Sequence, residues 1–283
     1  MNKIRKYFGE IEMTWAKVII FAFITAVITA GLNEIHALND TSFQDIAISY
    51  ECWILFAVFI IVNCKTWWEA SLKCFVFFLI SQPLIYLIEV PFESIGWGIF
   101  QYYRFWFIMT VLTLPGAAIA FQLKRKNWLS VAVLSVATAF LASMCVDYFD
   151  TALRNFPHHL LSSIFCLALA IFFVFVLLDD KKHRIAALAI VVVVLAAATG
   201  IIVKNNSGEH STLLTLDDGE WTCTVEDDTV ASVDIDNGNQ ATITSKKNGD
   251  TILTFKSIDG DEVQIVVFEF LADGKNLSLH HID

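Results

Sequence analysis

Seven apolar runs of about 20 residues constrain the fold of this chain more than any other feature. The hydrocarbon core of a bilayer is about 30 Å thick, and a helix that rises about 1.5 Å per residue crosses it in about 20 residues. Because lipid offers no hydrogen-bond partners to the backbone, such runs are predicted to be transmembrane helices. The predicted spans cover residues 15–32, 48–64, 74–90, 106–123, 129–146, 160–178 and 185–203.

Prolines interrupt two of these spans without excluding either. Pro83 lies in the third run and Pro115 in the fourth, and transmembrane helices tolerate such breaks when neighbouring groups satisfy the freed carbonyls. The first run is longer than the apolar part of a signal peptide, and LNEIHALND, which follows it, lacks a small-residue cleavage site. We therefore predict an α-helical bundle of seven transmembrane helices over residues 1–203, without a cleaved leader.

Charge divides the chain into a membrane part and a part exposed to water. Of the 283 residues, 56% are hydrophobic and only 17% are charged, whereas a typical soluble domain has about 25% charged residues. Residues 1–203 contain 14 basic and 13 acidic side chains, but residues 204–283 contain 5 basic and 16 acidic ones. The net charge of −10 therefore arises in the C-terminal part, which we predict to be a separate domain.

Basic residues between the spans predict the orientation in a plasma membrane. Twelve Lys and Arg side chains fall on the face that carries the N-terminus, and only Arg104 and Arg154 fall on the other face. Because basic residues are retained on the cytoplasmic side, we expect a cytoplasmic N-terminus and an extracytoplasmic segment 204–283. The aromatic residues interpreted as interfacial anchors are Trp15, Trp53, Trp67, Trp68, Tyr102, Tyr103, Trp106 and Trp128.

The acidic C-terminal part has the alternating pattern of half-buried β-strands. Apolar and polar residues alternate in TCTVE, SVDID, ATITS, TILTF and VQIVVFEF, and turns rich in Asp, Asn and Gly separate these segments. This pattern predicts a small antiparallel sandwich. The side chains expected to face its core are Trp221, Cys223, Val230, Val233, Ile243, Ile252 and Phe255.

Short motifs on these strands indicate a family. Trp221 is followed by VASVD at 230–234, GDTILT at 249–254 and a closing apolar strand at 263–270, and residues 208–213 supply an opening strand. In these motifs, residues 208–270 resemble the bacterial immunoglobulin-like family, group 2. The resemblance implies an Ig-like β-sandwich of a bacterial cell-surface protein that acts as a spacer or adhesion module rather than in catalysis.

The six cysteines do not form a recognisable disulfide framework. Five lie in or beside the predicted spans, and Cys223 is the only one in the C-terminal part. A pair between Cys52 and Cys145 is left open, because both lie near the predicted outer face.

Polar residues in the third span are the main candidates for a ligand site or a solute pathway. Gln82, Tyr86 and Glu89 are spaced at i, i+4 and i+7 and therefore share one helical face. Ionisable groups inside a membrane are costly and often functional. The alternative is structural: Glu89 reaches the outer headgroups and pairs with Arg104, while Gln82 hydrogen-bonds a neighbouring helix.

Carboxylates and imidazoles on the predicted outer face raise the alternative of a metal-dependent membrane hydrolase. The weak candidate ligands are His36, Asp147, His158 and His159. No HExxH motif places two ligands on one helical face, and adjacent histidines point about 100° apart. We therefore predict no metal and no cofactor, and the sequence shows neither a phosphate-binding loop nor a basic stripe for nucleic acid.

These patterns favour a multi-pass cell-envelope protein that presents an Ig-like module to an extracellular protein or an envelope glycan. The alternative is a carrier of small molecules or lipids that uses the polar face of the third span, with the Ig-like domain as an accessory lid. A single helix is enough to anchor a domain, so six further spans need another role. We do not expect an enzyme.

Overall fold

The computed structural model describes residues 8–154, 156–206, 210–217, 219–236, 239–259, 262–273 and 276–282. The chain divides into two compact units, Met1–Ala196 and Ala197–Asp283, called the helical unit and the β unit below. The predicted boundary, between residues 203 and 204, lies seven residues further along the chain. Both boundaries fall within one helix, Lys181–Asn206.

Eight α-helices and three short 3₁₀ helices precede the strands in the described residues. The α-helices are α1 (Trp15–Asn33), α2 (Ser42–Ile48), α3 (Tyr50–Val62), α4 (Trp67–Glu89), α5 (Phe100–Ala120), α6 (Trp128–Arg154), α7 (Leu160–Leu177) and α8 (Lys181–Asn206). The 3₁₀ helices are His36–Leu38, Gly96–Ile99 and Phe121–Arg125.

Six helical segments in the described chain are long and apolar enough to cross a membrane. The predicted second span differs: α3 has 13 residues, and it qualifies only together with α2, from which it is bent by 45°. The bend lies at Ser49, whose extended backbone (ψ 161°) interrupts the helix. By length and composition, the described residues therefore offer six candidate spans, or seven if the bent pair is one span.

Threonine caps begin two of the long helices. The Thr14 hydroxyl accepts a hydrogen bond from Lys17 N at the start of α1, and Thr66 accepts one from Glu69 N at the start of α4. Each cap satisfies a backbone donor that lacks a partner within the helix. Further along, the Ser71 hydroxyl donates to the Leu114 carbonyl at 2.6 Å and so links α4 to α5 close to Pro115.

The helical unit has a core of aliphatic and aromatic side chains. Ala22, Ala26 and Ala30 recur every fourth residue on α1 and are fully buried, and this small-residue stripe lets α4 approach closely. Phe77 of α4 is fully buried in the same cluster, together with Trp53, which is 3% exposed. The prediction that Trp53 is an interfacial anchor is therefore wrong.

Contacts of basic residues bring four segments of the helical unit to one end of the bundle. Lys73 donates to the carbonyl of Met13, and Lys65 lies 3.8 Å from Glu12. The Lys124 ammonium donates to the carbonyl of Cys64, and Lys126 pairs with Asp179 at 2.5 Å. Because α1 and α4 both start at this basic end, their last residues, Asn33 and Glu89, lie at the opposite end.

The β unit consists of seven antiparallel strands in two sheets, within the described residues. The strands are β1 (His210–Thr215), β2 (Trp221–Val225), β3 (Ala231–Ile235), β4 (Gln240–Ser245), β5 (Gly249–Asp259), β6 (Glu262–Asp273) and β7 (Asn276–Ile282). One sheet has the order β1-β4-β3 and the other β2-β5-β6-β7. In register, Val233 lies opposite Ile243, and Cys223 lies opposite Phe255.

Side chains from both sheets form one core, so the β unit is sandwich-like. Ile243 of β4 and Leu253, Phe255 and Phe270 of β5 and β6 are fully buried in a single cluster. Ile252 was expected in this core but is 37% exposed. Because strand side chains alternate, residues 252 and 255 lie on opposite faces of β5 and cannot both point inward.

The remaining expected core residues differ in burial. Val230 is 3% exposed, whereas Trp221, Cys223 and Val233 are half-buried at the edge of the cluster. The indole N–H of Trp221 donates to the Asp217 carbonyl at 2.8 Å. Trp221 therefore packs at the edge of the sandwich core rather than at its centre.

Candidate functional site

A cavity of about 400 Å³ lies between the helices at the end of the bundle where α1 and α4 terminate. Gln82, Tyr86 and Glu89, the predicted polar face of the third span, all line it. We call it the acidic cavity. Its other lining residues are Thr29, Asn33, Ile48, Trp53, Ile85, Glu93, Ser94, Ile95, Ile99, Tyr102 and Trp106.

Gln82 is a buried amide without a protein partner for its donors. The side chain is 2% exposed, and its Nε2 atom donates to no acceptor in the part of the chain that the structure describes. An unsatisfied buried donor costs about 1 to 3 kcal/mol, so such a group is a reason to look for a ligand or a water molecule in the adjoining space.

A hydrogen-bond chain fixes the orientation of Glu89, which is 3% exposed. Asn33 Nδ2 donates to Glu89 Oε1 at 3.0 Å, and the Asn33 carbonyl oxygen accepts from Gln44 Nε2 at 3.1 Å. The second carboxylate oxygen of Glu89 has no donor among residues 8–154. Asn33 therefore holds one oxygen while the other is free to meet a ligand.

Acidic groups dominate the electrostatics around this cavity. Glu89 and Glu93 line it, and Glu34 follows Asn33 at the end of α1. Partial burial and repulsion from Glu93 raise the pKa of Glu34 above its usual range, while His36 opposes this shift. None of the residues described as lining the cavity is Lys or Arg, so the cavity suits a positively charged group.

Arg104 lies elsewhere. It is exposed on α5, does not line the acidic cavity, and forms no ion pair with Glu89 in the described structure. The partner of Glu89 is Asn33 instead, a residue 56 positions earlier in the chain.

A second cavity, of about 460 Å³, is almost entirely apolar. It shares two lining residues with the acidic cavity, Trp53 and Trp106. The other residues lining this apolar cavity are Tyr50, Ile54, Ala57, Val58, Ile61, Cys74, Phe78, Met109, Thr110, Thr113, Gly116, Ala117, Ala120, Ala137 and Phe140.

The four weak metal candidates do not come together. His36 and Asp147 are exposed, and His158 is half-buried. His159 instead meets Asp45, whose carboxylate lies 2.7 Å from the imidazole Nδ1. No group of three His, Cys, Asp or Glu side chains in the described residues is placed to hold a metal ion. All six cysteines, including Cys52 and Cys145, are free thiols.

Glu51 is a further buried carboxylate, which was not among the predicted site residues. It is 1% exposed, and neither of its oxygens has a hydrogen-bond partner in the described chain. Glu51 lies in the first turn of α3, where the positive end of the helix dipole favours a negative charge. Its position directly after the break at Ser49 could not be predicted, because the bend is not visible in the apolar pattern.

Sequence reasoning also missed the partners that complete the acidic cavity. Asn33 belongs to α1, and only the packing of α1 beside α4 brings it to Glu89, whereas Glu93 follows α4 directly and its backbone N donates to the Glu89 carbonyl. The spacing within α4 could identify one wall of the cavity but not the others. No family model, curated protein or solved structure matches this chain.

Proposed function

We propose that the helical unit is a membrane carrier that binds a small organic cation in the acidic cavity. The observation that supports this function is that two buried side chains line the same cavity, Gln82 with an Nε2 that has no partner and Glu89 with one oxygen outside its bond to Asn33. A cavity of this size lies within the range of about 300 to 1,000 Å³ that is typical of ligand sites. Aromatic walls from Tyr86, Tyr102 and Trp106 favour an ammonium group further.

Binding of propylammonium to the full-length protein in lipid nanodiscs tests this function. Replacing Glu89 by Gln removes the charge that the cation meets, and we expect the dissociation constant to rise about tenfold or more. Glu10→Gln is the matched control, because Glu10 is exposed and does not line the cavity. Equal affinities of the two variants would contradict the proposal.

We propose further that the bundle has seven spans, with α2 and α3 forming one bent span, and that the basic end faces the cytoplasm. Support comes from the basic contacts of Lys65, Lys73, Lys124 and Lys126, which gather at one end of the bundle. In this orientation the acidic cavity lies near the extracytoplasmic face of a bacterial plasma membrane, and residues 204–283 are outside the cell.

For the β unit we propose an Ig-like module that contacts an envelope protein or glycan. The supporting observation is its compactness: it has two antiparallel sheets and a core of its own. Deleting residues 204–283 should leave propylammonium binding unchanged if this module and the cation site have separate roles. A loss of cation binding on deletion would assign both units to one site.

A further inference from the structure

The acidic and apolar cavities are neighbours, because Trp53 and Trp106 line both. On one side of these two rings lie Gln82, Glu89 and Glu93. On the other side, the described lining contains no charged residue, and hydrocarbon groups from α3, α5 and α6 dominate it. A molecule that occupies both spaces must therefore have a charged end and an apolar end.

The apolar cavity also has an opening on α5. Gly116 lines it and is exposed, and apart from its chain neighbours and the backbone of its own helix no atom lies within 4 Å of the position that a Cβ would take. An alkyl chain can therefore reach the space beside Gly116 without displacing a neighbouring side chain. In a helix of this hydropathy, the exposed surface faces lipid, so the opening leads to the bilayer rather than to water.

Charge complementarity selects the sign of the head group. Glu89 and Glu93 line the acidic cavity, Glu34 lies nearby, and the described lining carries no Lys or Arg. An anionic amphiphile would be repelled, whereas an ammonium would meet the unbonded oxygen of Glu89 and the aromatic walls. The Nε2 donor of Gln82 further suits an oxygen acceptor close to the ammonium group.

We propose that the natural occupant of this site is a cationic amphiphile taken from the bilayer, with its ammonium in the acidic cavity and its alkyl chain in the apolar cavity. This inference rests on the proposed binding of a cation and adds the class of the ligand. Trp53 and Trp106 lie between head and chain, and Glu89 is the residue that binds the head.

Three probes test the inference with the full chain in nanodiscs, each against cavity-filling variants, a control variant and Glu89→Gln. The probes are dodecylammonium, propylammonium as the head alone, and dodecanoate as the chain with the opposite charge. Gly116→Leu and, as a second variant, Ala137→Leu fill the apolar cavity, since both residues line it. Gly31→Leu is the matched control, because Gly31 is an exposed helical glycine with equally open space and lines neither cavity.

Each cavity-filling variant should weaken dodecylammonium binding about tenfold and change propylammonium binding by less than about twofold. Gly31→Leu should change neither, and dodecanoate should bind at least about tenfold more weakly than dodecylammonium. Comparing each variant with the parent protein for the same probe removes the contribution of partitioning into lipid.

The outcomes separate this inference from the proposed function. If Glu89→Gln weakens binding of both amines while both cavity-filling variants bind dodecylammonium like the parent, the alkyl chain lies elsewhere and the inference is wrong, although the cation site stands. If Glu89→Gln leaves both amines unaffected, the cation site itself is wrong. Tight binding of dodecanoate would overturn the assigned charge.

Discussion

The imidazole Nδ1 of His159 donates to the carboxylate of Asp45 across 2.7 Å, although 114 residues separate them in the chain. The same carboxylate oxygen accepts from the Ser162 hydroxyl at 2.7 Å, and Ser162 N donates to Ser42 Oγ. These bonds join the first turn of α2 to the start of α7. They hold the short first part of the bent pair in place, because α2 alone has only seven residues.

Loss of this pair is expected to destabilise the helical unit. His159→Ala leaves the partly buried Asp45 carboxylate without its imidazole partner, and hydrogen bonds to charged groups contribute about 1.5 to 3 kcal/mol. The melting temperature of the full chain in detergent should fall, and Ser162→Ala should lower it as well. His158→Ala is the control, since His158 takes no part in these bonds. A fall as large for His158→Ala would mean that the loop, and not the pair, supports α2.

Double-mutant cycles should identify the partner of Glu89. Asn33→Leu and Glu89→Leu are expected to be non-additive in the free energy of unfolding by about 0.5 kcal/mol or more, because the two side chains form a 3.0 Å hydrogen bond. Arg104→Leu and Glu89→Leu should be additive, because Arg104 is exposed and lies outside the cavity. Coupling between Glu89 and Arg104 in chemical unfolding experiments would instead support the ion pair that the sequence suggested.

Cysteine labelling in a cysteine-free background tests the proposed orientation. Arg125→Cys lies at the basic end and Ser211→Cys on the first strand, and both positions are exposed. In intact cells, an impermeant maleimide should modify residue 211 and not residue 125. Permeabilised cells provide the control, because both positions should then react. Labelling at 125 without permeabilisation would reverse the topology.

The β unit should fold as a separate fragment of residues 204–283, because it forms a compact unit with its own core. In that fragment, Phe255→Ala should cost about 3 to 5 kcal/mol, since Phe255 is fully buried. Ile252→Ala should cost less than about 1 kcal/mol, since Ile252 faces outward with 37% exposure. Urea unfolding followed by circular dichroism measures both, and equal losses would contradict the register of β5.

Cys223 is expected to react slowly with thiol reagents at neutral pH. Burial raises the pKa of this thiol to about 11, and only the thiolate is an effective nucleophile. Its modification by a disulfide reagent in the fragment should therefore accelerate as the pH rises towards 11. Urea-unfolded fragment is the control, and its thiol should react at the rate of an ordinary cysteine with a pKa of about 8.5. The same rate before and after unfolding would show that Cys223 is not protected.

The helical part of this fold was largely predictable, because a long apolar run has few other structures available to it in lipid. The spacing of Gln82, Tyr86 and Glu89 also put them on one face of α4, and all three line the acidic cavity. The break at Ser49 was not predictable, since the residues on both sides of it are mostly apolar and contacts such as that of Asp45 with His159 join residues far apart in the chain.

Errors in the remaining predictions have simple physical causes. Trp53 was placed at the interface because tryptophan is common there, yet it packs against Phe77 and Phe78 inside the bundle. Ile252 was placed in the core because it is apolar, although the period of two in β5 excludes it once Phe255 points inward. Both predictions were made from residue type alone, whereas the positions of Trp53 and Ile252 depend on their packing partners and on the periodicity of the strand.

The last helix, α8, extends over 26 residues, but its apolar part, residues 185–203, is about 29 Å long and matches a hydrocarbon layer of about 30 Å. Most of its side chains are unburied, and Val192, Val193 and Ile201 are each at least 60% exposed. An apolar part that matches the layer needs little tilt, and a thinner bilayer is accommodated by tilting the helix. Few protein contacts oppose a tilt of α8, so membrane thickness is expected to set its inclination, with a steeper tilt in thinner bilayers.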